Sequence, residues 1–263
     1  MNINNWAKQL INQDRRMAIP IMTHPGIEMI GKKISDAVQC GATHAAAIKK
    51  LNEVYPVAAT SVIMDLTVEA EAFGALVEIQ EDEMPHLLGR LVSSADEIER
   101  LKVPDLYAGR IQEYIKANRI TVQTNIDKPV FSGVIGPFSL AGRLYDMSEI
   151  MVACYTEPDA VGTLLEKCTE FLTNYCSALK EVGCLGVLIA EPAAGLLSNE
   201  DCMLFSSKYI KSIVDAVQDD EFMVILHNCG KSALYRCHVV HRSQRLSFRK
   251  RYRYGGGFGS LSS

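Results

Sequence analysis

The fold is decided by the stretch Met223-Val224-Ile225-Leu226-His227-Asn228-Cys229-Gly230. Its four leading apolar residues are typical of a buried strand in a parallel sheet. His227 and Cys229 follow at the end of this strand, and residues two apart in an extended chain point to the same side. Both side chains are suitable zinc ligands, but a zinc site needs at least three ligands from the protein. The pair alone is therefore a weak motif, since a free Cys is often only a small buried apolar residue.

Upstream of this stretch, predicted strands alternate with predicted helices. The predicted strands cover 17–22, 61–64, 129–135, 185–190 and 223–226. The predicted helices cover 27–38, 42–54, 68–73, 95–101, 108–118, a segment after 137, 159–182 and 208–217. This order predicts an α/β protein with a parallel sheet and right-handed crossovers, of the (β/α)8 TIM-barrel type.

Polar residues directly follow the predicted strands, namely His24, Asp65, Glu191, His227 and Cys229. In a (β/α)8 barrel the carboxyl ends of the strands surround one pocket, so we expect these side chains on one rim. A single carboxylate in such a position is more often a helix cap or a surface group. Their shared placement after strands favours a functional site.

Composition limits the classes of protein that fit. The 263 residues are 48% hydrophobic and 22% charged, which is ordinary for one large globular domain or two small ones. A formal net charge of -4 gives no reason to expect a nucleic-acid partner. No apolar run approaches the roughly 20 residues that span a bilayer, and the first residues do not resemble a secretory signal. The 8 Cys lack close-spaced pairs, which favours reduced thiols and a cytoplasmic location.

The segment 231–263 differs from the rest of the chain. It contains many Lys and Arg, no Asp or Glu, and the Gly-rich run Gly255-Gly256-Gly257-Phe258-Gly259. We therefore divide the chain into a partial barrel domain, 1–230, and an aberrant basic tail, 231–263, expected to be disordered. Such a tail could bind RNA or phosphate. We favour the hypothesis that a frameshift or truncation replaced the last strands, which leaves the barrel incomplete at its C-terminus.

Four motifs together resemble a known family. They are Ile63-Met64-Asp65-Leu66-Thr67-Val68-Glu69-Ala70-Glu71-Ala72-Phe73-Gly74, Gly136-Pro137-Phe138-Ser139-Leu140-Ala141, Ala190-Glu191-Pro192 and Leu226-His227-Asn228-Cys229-Gly230. Over about residues 15–230 the chain resembles the uroporphyrinogen decarboxylase superfamily, and within it the methylcobamide:thiol methyltransferase branch. The fold implied by this resemblance is again a (β/α)8 barrel.

The resemblance implies zinc-dependent methyl transfer. In that branch a His-x-Cys pair and a more distant Cys hold Zn²⁺, and His227 and Cys229 match the pair. Cys237 is too close to the pair to match the third ligand, which is missing from this chain. The zinc would deprotonate a small thiol, which then takes the methyl group of a methylcobamide carried by a corrinoid protein. Asp65 and Glu191 are candidate catalytic groups that orient the thiol or a zinc ligand.

Two alternatives stay open. The first is porphyrinogen decarboxylation, since Asp65 matches the Asp that faces the pyrrole nitrogens in uroporphyrinogen decarboxylases. Those enzymes also carry paired arginines in an N-terminal loop, whereas the loop 23–28 here has none, and a substrate with several carboxylates needs such cations. The second alternative is an inactive fragment of a barrel.

The incomplete-barrel hypothesis predicts poor stability. A parallel sheet that stops early has an edge of unpaired backbone groups, through which chains can associate. We expect the 263-residue chain to be poorly stable, or to self-associate through this edge in size-exclusion chromatography. A cooperative thermal transition from a monomer would contradict this prediction.

Overall fold

The computed structural model describes residues 2–15, 17–21, 23–124 and 127–228, together with the backbone of 245–248. Within these ranges the chain is an α/β protein built on a parallel sheet, so the predicted fold class is confirmed. None of the described helices is long and apolar enough to cross a bilayer.

Helices make up most of the described chain. They are α1 (Ile3–Ile11), α2 (Pro25–Met29), α3 (Ile34–Gln39), α4 (Gly41–Val54), α5 (Val68–Ala72), α6 (Ala95–Arg100), α7 (Ile111–Thr124), α8 (Pro137–Tyr145), α9 (Met147–Thr156), α10 (Pro158–Glu181), α11 (Asn199–Cys202) and α12 (Lys208–Val217). A 3₁₀ turn covers Pro192–Leu196, and a π-helical turn covers Met203–Ser207.

The strands form one main sheet and one small pair. The strands are β1 (Thr60–Ser61), β2 (Val77–Glu78), β3 (His86–Leu87), β4 (Val130–Ile135), β5 (Gly186–Ala190), β6 (Met223–Asn228) and β7 (Arg245–Phe248). The main sheet has the order β1-β4-β5-β6-β7 with every pairing parallel, whereas β2 and β3 pair antiparallel. From β1 to β6, neighbours in the main sheet are joined by helical crossovers, as strand–helix alternation predicts.

The two faces of the main sheet have different neighbours. Met223 and Ile225 of β6 pack with α1 on one face, which we call the inner face. Val224 and Leu226 belong to the large core formed with the helices on the other, outer face. Because side chains alternate along a strand, His227 lies on the inner face with Ile225.

The long helix α10 supplies much of the outer core. Its predicted apolar stripe is buried in full and consists of Val161, Leu164, Leu165, Cys168, Phe171, Leu172, Tyr175 and Leu179. Phe171 also contacts Phe73 of the α5 end, with ring centroids 5.3 Å apart. Helical periodicity therefore identified the element that covers the sheet.

The first two predicted strands differ from the structure: the first is not formed in its described residues, and the second is shorter than predicted. Residues 17–21 are not a strand, because Pro20 has no N–H for a ladder, and Met22 lies outside the described residues. The segment is instead attached through Ala18, whose carbonyl accepts from the Ala58 N–H at 2.9 Å. The strand predicted over 61–64 is limited to β1, since the Ile63 N–H donates to His44 Nε2 at 2.9 Å rather than to a neighbouring strand.

Several helix boundaries also differ from the predictions. The helix predicted over 27–38 divides into α2 and α3 at Gly31, whose φ of 65° is left-handed. The helix predicted over 108–118 runs instead over Ile111–Thr124, and α1 and α9 were not predicted. Boundaries depend on tertiary contacts, which periodicity does not report.

The backbone of 245–248 differs from the expected disordered tail. It forms β7 and pairs with β6 from Ile225 to Asn228. The reason lies in β6, whose edge offers backbone groups that a further strand can satisfy. The rest of the proposed tail, 231–263, lies outside the described residues, and the domain boundary at 230 stays a prediction.

Candidate active site at the carboxyl ends of the strands

His227 occupies the inner face at the carboxyl end of β6. Its direct neighbour in the register is Ala190 of β5, and its carbonyl accepts from the Glu191 N–H at 2.9 Å. The side chain is half-buried, and this burial lowers the pKa of His227. The imidazole is therefore neutral near pH 7, which is the form that binds metals or accepts protons.

The other half of the predicted metal pair, Cys229, lies outside the described residues. Within the described ranges, no group of three or more His, Cys, Asp or Glu side chains is arranged to hold a metal ion. His227 is thus the one predicted zinc ligand whose position is described.

Glu191 follows β5 and extends to the outer side of the sheet. It is fully buried, and its Oε1 accepts from the Ser139 N–H at 2.7 Å and the Ser139 hydroxyl at 2.6 Å. Its Oε2 accepts from the Phe138 N–H at 3.2 Å. Burial raises the pKa of Glu191 to about 7, while these hydrogen bonds act in the opposite direction. Glu191 thus binds the N-terminus of α8, where unpaired N–H groups favour a carboxylate.

Gly136 explains how Glu191 comes so close to α8. A Cβ atom at Gly136 would lie 2.1 Å from Glu191 Oε2, so any larger residue would displace the carboxylate. The two residues therefore have different roles: Gly136 leaves room for the Glu191 carboxylate, and Pro137 begins α8. Although the backbones of Glu191 and His227 are hydrogen-bonded, the Glu191 side chain is engaged on the helix side and does not join His227 on the inner face.

Asp65 is also buried, with 5% of its surface exposed. Its Oδ1 accepts from the N–H and hydroxyl of Thr67, at 2.9 and 2.7 Å. Its Oδ2 accepts from Arg110 Nη1 at 2.6 Å and from the Tyr114 hydroxyl at 3.1 Å. Four donors therefore satisfy this carboxylate, leaving it little capacity to bind a substrate.

Arg110 connects Asp65 to a second acid. Its Nε donates to Glu71 Oε2 at 2.6 Å, and its Nη2 donates to Thr67 Oγ1 at 2.9 Å. We call Asp65, Thr67, Glu71, Arg110 and Tyr114 the Arg110 cluster. It joins the loop after β1 and helix α5 to the start of α7, through contacts spanning 45 positions in the sequence. No sequence motif indicated Arg110 or Tyr114, since neither follows a strand.

The two histidines near this cluster have different environments. His44 is buried, accepts from the Ile63 N–H, and has its pKa lowered to about 3 by burial, so it serves the core as a neutral acceptor. His24 is partly buried, and its Nε2 lies 2.8 Å from the sulfur of Met84. Its buried Nδ1 has no hydrogen-bond partner among the described residues. Burial lowers the pKa of His24, although Asp65 acts in the opposite direction.

Glu69 is a buried acid that the sequence analysis missed, because it does not directly follow a predicted strand. It is 2% exposed, and its Oε1 accepts from the N–H of Ile135, the last residue of β4, at 3.0 Å. Its Oε2 has no partner within the described ranges. Burial raises the pKa of Glu69 to about 7. Glu69 is the second residue of α5. In the sequence it was marked only as part of the quoted motif 63–74.

The carboxyl end of β6 is thus chemically simple in its described part. It presents a neutral imidazole at the end of β6, while Asp65 and Glu191 are held by donors elsewhere. Such an arrangement can bind a metal or accept a proton at one nitrogen. The acids that were expected beside it instead attach helices to the sheet.

A comparison with protein families gives one match. The model for uroporphyrinogen decarboxylase (URO-D) matches residues 15–244. This range extends past 230, the predicted domain boundary, and covers most of the described chain.

Curated relatives fall into two groups. Methylcobamide:CoM methyltransferase MtbA of Methanosarcina mazei is 30% identical over 178 residues, which are 66% of this chain and 52% of the relative. Uroporphyrinogen decarboxylase of Proteus mirabilis is 27% identical over 171 residues, which are 62% of this chain and 47% of the relative. The chain thus spans about half the length of the curated relatives it matches.

A solved structure has the same fold. A methyltransferase from Methanosarcina mazei superposes with a TM-score of 0.77, at 22% sequence identity, over 86% of this chain and 70% of that chain. The parallel sheet with its helical crossovers is therefore an arrangement that also occurs in an experimentally known protein.

The Arg110 cluster predicts a large cost for removing its cation. Arg110→Gln leaves Asp65 and Glu71 without their shared counter-charge, and breaking a buried ion pair costs about 3–5 kcal/mol. We expect this loss in urea unfolding, with Arg119→Gln, a change at an exposed arginine of the adjoining helix, as the matched control at about 0.5 kcal/mol or less. Equal stability of the two variants would contradict a structural role for the cluster.

Glu69 predicts a pH-dependent stability difference. Its folded-state pKa of about 7 lies above the ordinary 4.5, so the folded state holds the proton and loses stability as pH rises from about 4.5 to about 7. Glu69→Gln removes this loss. The quantity to follow is the free energy of unfolding of Glu69→Gln minus that of the wild type. This difference should increase by up to roughly 3 kcal/mol between pH 5 and pH 8. A flat difference for Glu69→Gln would be the contrary result.

Proposed function

The chain belongs to the uroporphyrinogen decarboxylase family, and from this we propose that it moves a methyl group from a methylcobamide, carried by a corrinoid protein, to a small thiol with the help of zinc. The observation that carries the proposal is the neutral imidazole of His227 on the inner face at the end of β6. The similarity to methylcobamide:CoM methyltransferases supports this reaction over others in the family.

His227 has the properties of a zinc ligand. A zinc ligand must be deprotonated, and burial already favours the neutral imidazole. We propose Cys229, two residues further along, as the second ligand, and we assign no third ligand among the described residues. When bound, zinc would supply a Lewis acid that lowers the pKa of the acceptor thiol.

The inner face below His227 is apolar in its described part. Below it on the inner face lie Ile225 and the neighbouring Leu188 and Phe131, which line one narrow apolar gap with the chain around Ile19. An apolar floor lowers the local dielectric and strengthens the interaction between a thiolate and its ligand environment. The described chain thus offers a polar end group above an apolar part of the inner face.

Asp65 and Glu191, which the sequence analysis proposed as catalytic, are better assigned as positioning residues. Glu191 orients α8 on the end of β5, and Asp65 orients α5 and α7 through Arg110. We propose that they act on the site through these helices and touch neither reactant.

Decarboxylation of a porphyrinogen is the second candidate, since uroporphyrinogen decarboxylases are also among the relatives. Two observations argue against it. The loop 23–28 has no arginine for substrate carboxylates, and Asp65 is occupied by four donors. An assay with uroporphyrinogen separates the two reactions, because only the decarboxylase would release carbon dioxide from it.

Metal content and activity of the full chain test the proposal together. We expect more zinc in the wild type than in His227→Ala or Cys229→Ala, each of which removes one of the two proposed ligands. His86→Ala, at an exposed histidine, and Cys40→Ala, at a partly exposed cysteine, are matched controls and should keep the zinc. The first two variants should also lose thiol-dependent demethylation of methylcobalamin, followed by absorbance. Equal zinc in all five proteins would refute the metal site.

A further inference from the structure

A second cavity, separate from the inner face, lies beside α8. Its volume is about 410 Å³, and it is bounded by α8, the start of α9, the end of the β2–β3 pair and the 3₁₀ turn after β5. Its wall is mostly apolar and includes Leu87, Met147 and Leu196. Cavities of this size accommodate small organic molecules, whose volume exceeds that of an inorganic ion.

Arg143 contributes a positive charge to the wall of this cavity. Its side chain is half-buried, yet within the described ranges its guanidinium has neither a hydrogen-bond acceptor nor an ion-pair partner. The other polar side chains in the wall are already engaged. The Ser139 hydroxyl donates to Glu191, and the Asp146 carboxylate accepts from the N–H groups of Ser148 and Glu149.

A guanidinium in this setting favours an anion. Burial lowers the pKa of Arg143, while Glu69 and Asp65 act in the opposite direction. Neither acid forms an ion pair with it, since Asp65 is bound to Arg110 and Glu69 accepts from the Ile135 N–H through Oε1. Partial desolvation of a charge without a partner is costly, and a planar oxyanion that accepts two parallel N–H bonds offsets that cost.

We propose that this cavity binds a small organic acid, with its carboxylate, sulfonate or phosphate group on Arg143 and its apolar part against Leu87, Met147 and Leu196. The acid group could belong to the thiol acceptor, and this assignment rests on the proposed function. It could equally belong to a separate organic acid. The shared chemistry is an oxyanion attached to a short apolar body.

Isothermal titration calorimetry of the full chain with butane-1-sulfonate and with inorganic sulfate tests the cavity without zinc or corrinoid. We expect saturable binding of both, tighter for butane-1-sulfonate because its carbon chain contacts the apolar wall. Arg143→Gln should weaken butane-1-sulfonate binding by at least about tenfold, since charge-assisted hydrogen bonds are lost. Arg119→Gln removes the same charge from an exposed position and should leave binding unchanged.

Arg143→Lys is a second variant that tests the proposal even if Arg143→Gln does not fold. It keeps the charge but loses the bidentate geometry, so its affinity should fall between those of the wild type and Arg143→Gln. No saturable binding by the wild type, or equal weakening by Arg143→Gln and Arg119→Gln, would overturn the proposal. These outcomes are independent of methyl transfer, so a failure here is distinguishable from a failure of the zinc chemistry.

Competition identifies the source of the acid group. If 3-mercaptopropionate displaces butane-1-sulfonate at a lower concentration than propionate, which has the same acid group without the thiol, the cavity receives the acid end of a thiol acceptor. If propionate displaces it equally well, or neither compound displaces it, the link to the acceptor is refuted and the cavity belongs to a separate organic acid.

Discussion

The alternation of side chains along parallel strands is the constraint on which the site depends. In β6, Met223 and Ile225 face α1, so His227 must face the same way, whereas Asn228 must face the helices. A shift of one residue in the register between β5 and β6 would exchange the two faces. The hydrogen bond from the Glu191 N–H to the His227 carbonyl extends the parallel pairing to the end of both strands. The position of the imidazole is therefore fixed by the same backbone ladder that builds the sheet.

The buried acids stabilise the helix layer around this sheet. Glu191 binds the N-terminus of α8, Glu69 binds the end of β4, and Asp65 binds Arg110 at the start of α7. Each contact joins the carboxyl end of a strand to a helix that follows it or a neighbouring strand. Buried carboxylates at strand ends in this protein thus serve the geometry of the rim, while His227 is half-buried on the inner face at the end of β6. The same rim places Arg143, on α8, in a cavity of its own.

The sequence was sufficient for the fold class, whereas the roles that it proposed for the site residues stay predictions. Helical spacing from 159 to 182 identified α10, and the apolar runs before Glu191 and His227 identified β5 and β6, because each pattern reports burial directly. The expectation that polar residues directly after strands form the site also singled out Asp65 and Glu191, whose role in the site stays a prediction. It could not say which face each carboxylate would reach, since that depends on whether a helix N-terminus or an arginine is nearby. Arg110 and Arg143 lie on or beside helices, and only the folded chain brings them to the strand ends.

X-ray absorption at the zinc edge tests the central claim, that His227 carries a metal on the inner face, most directly. Zinc bound as proposed should show a mixed first shell, with sulfur at about 2.3 Å and nitrogen at about 2.0–2.1 Å. The imidazole scattering should disappear from His227→Ala and persist in His86→Ala. A first shell of oxygen alone, or imidazole scattering that is unchanged in His227→Ala, would contradict the account.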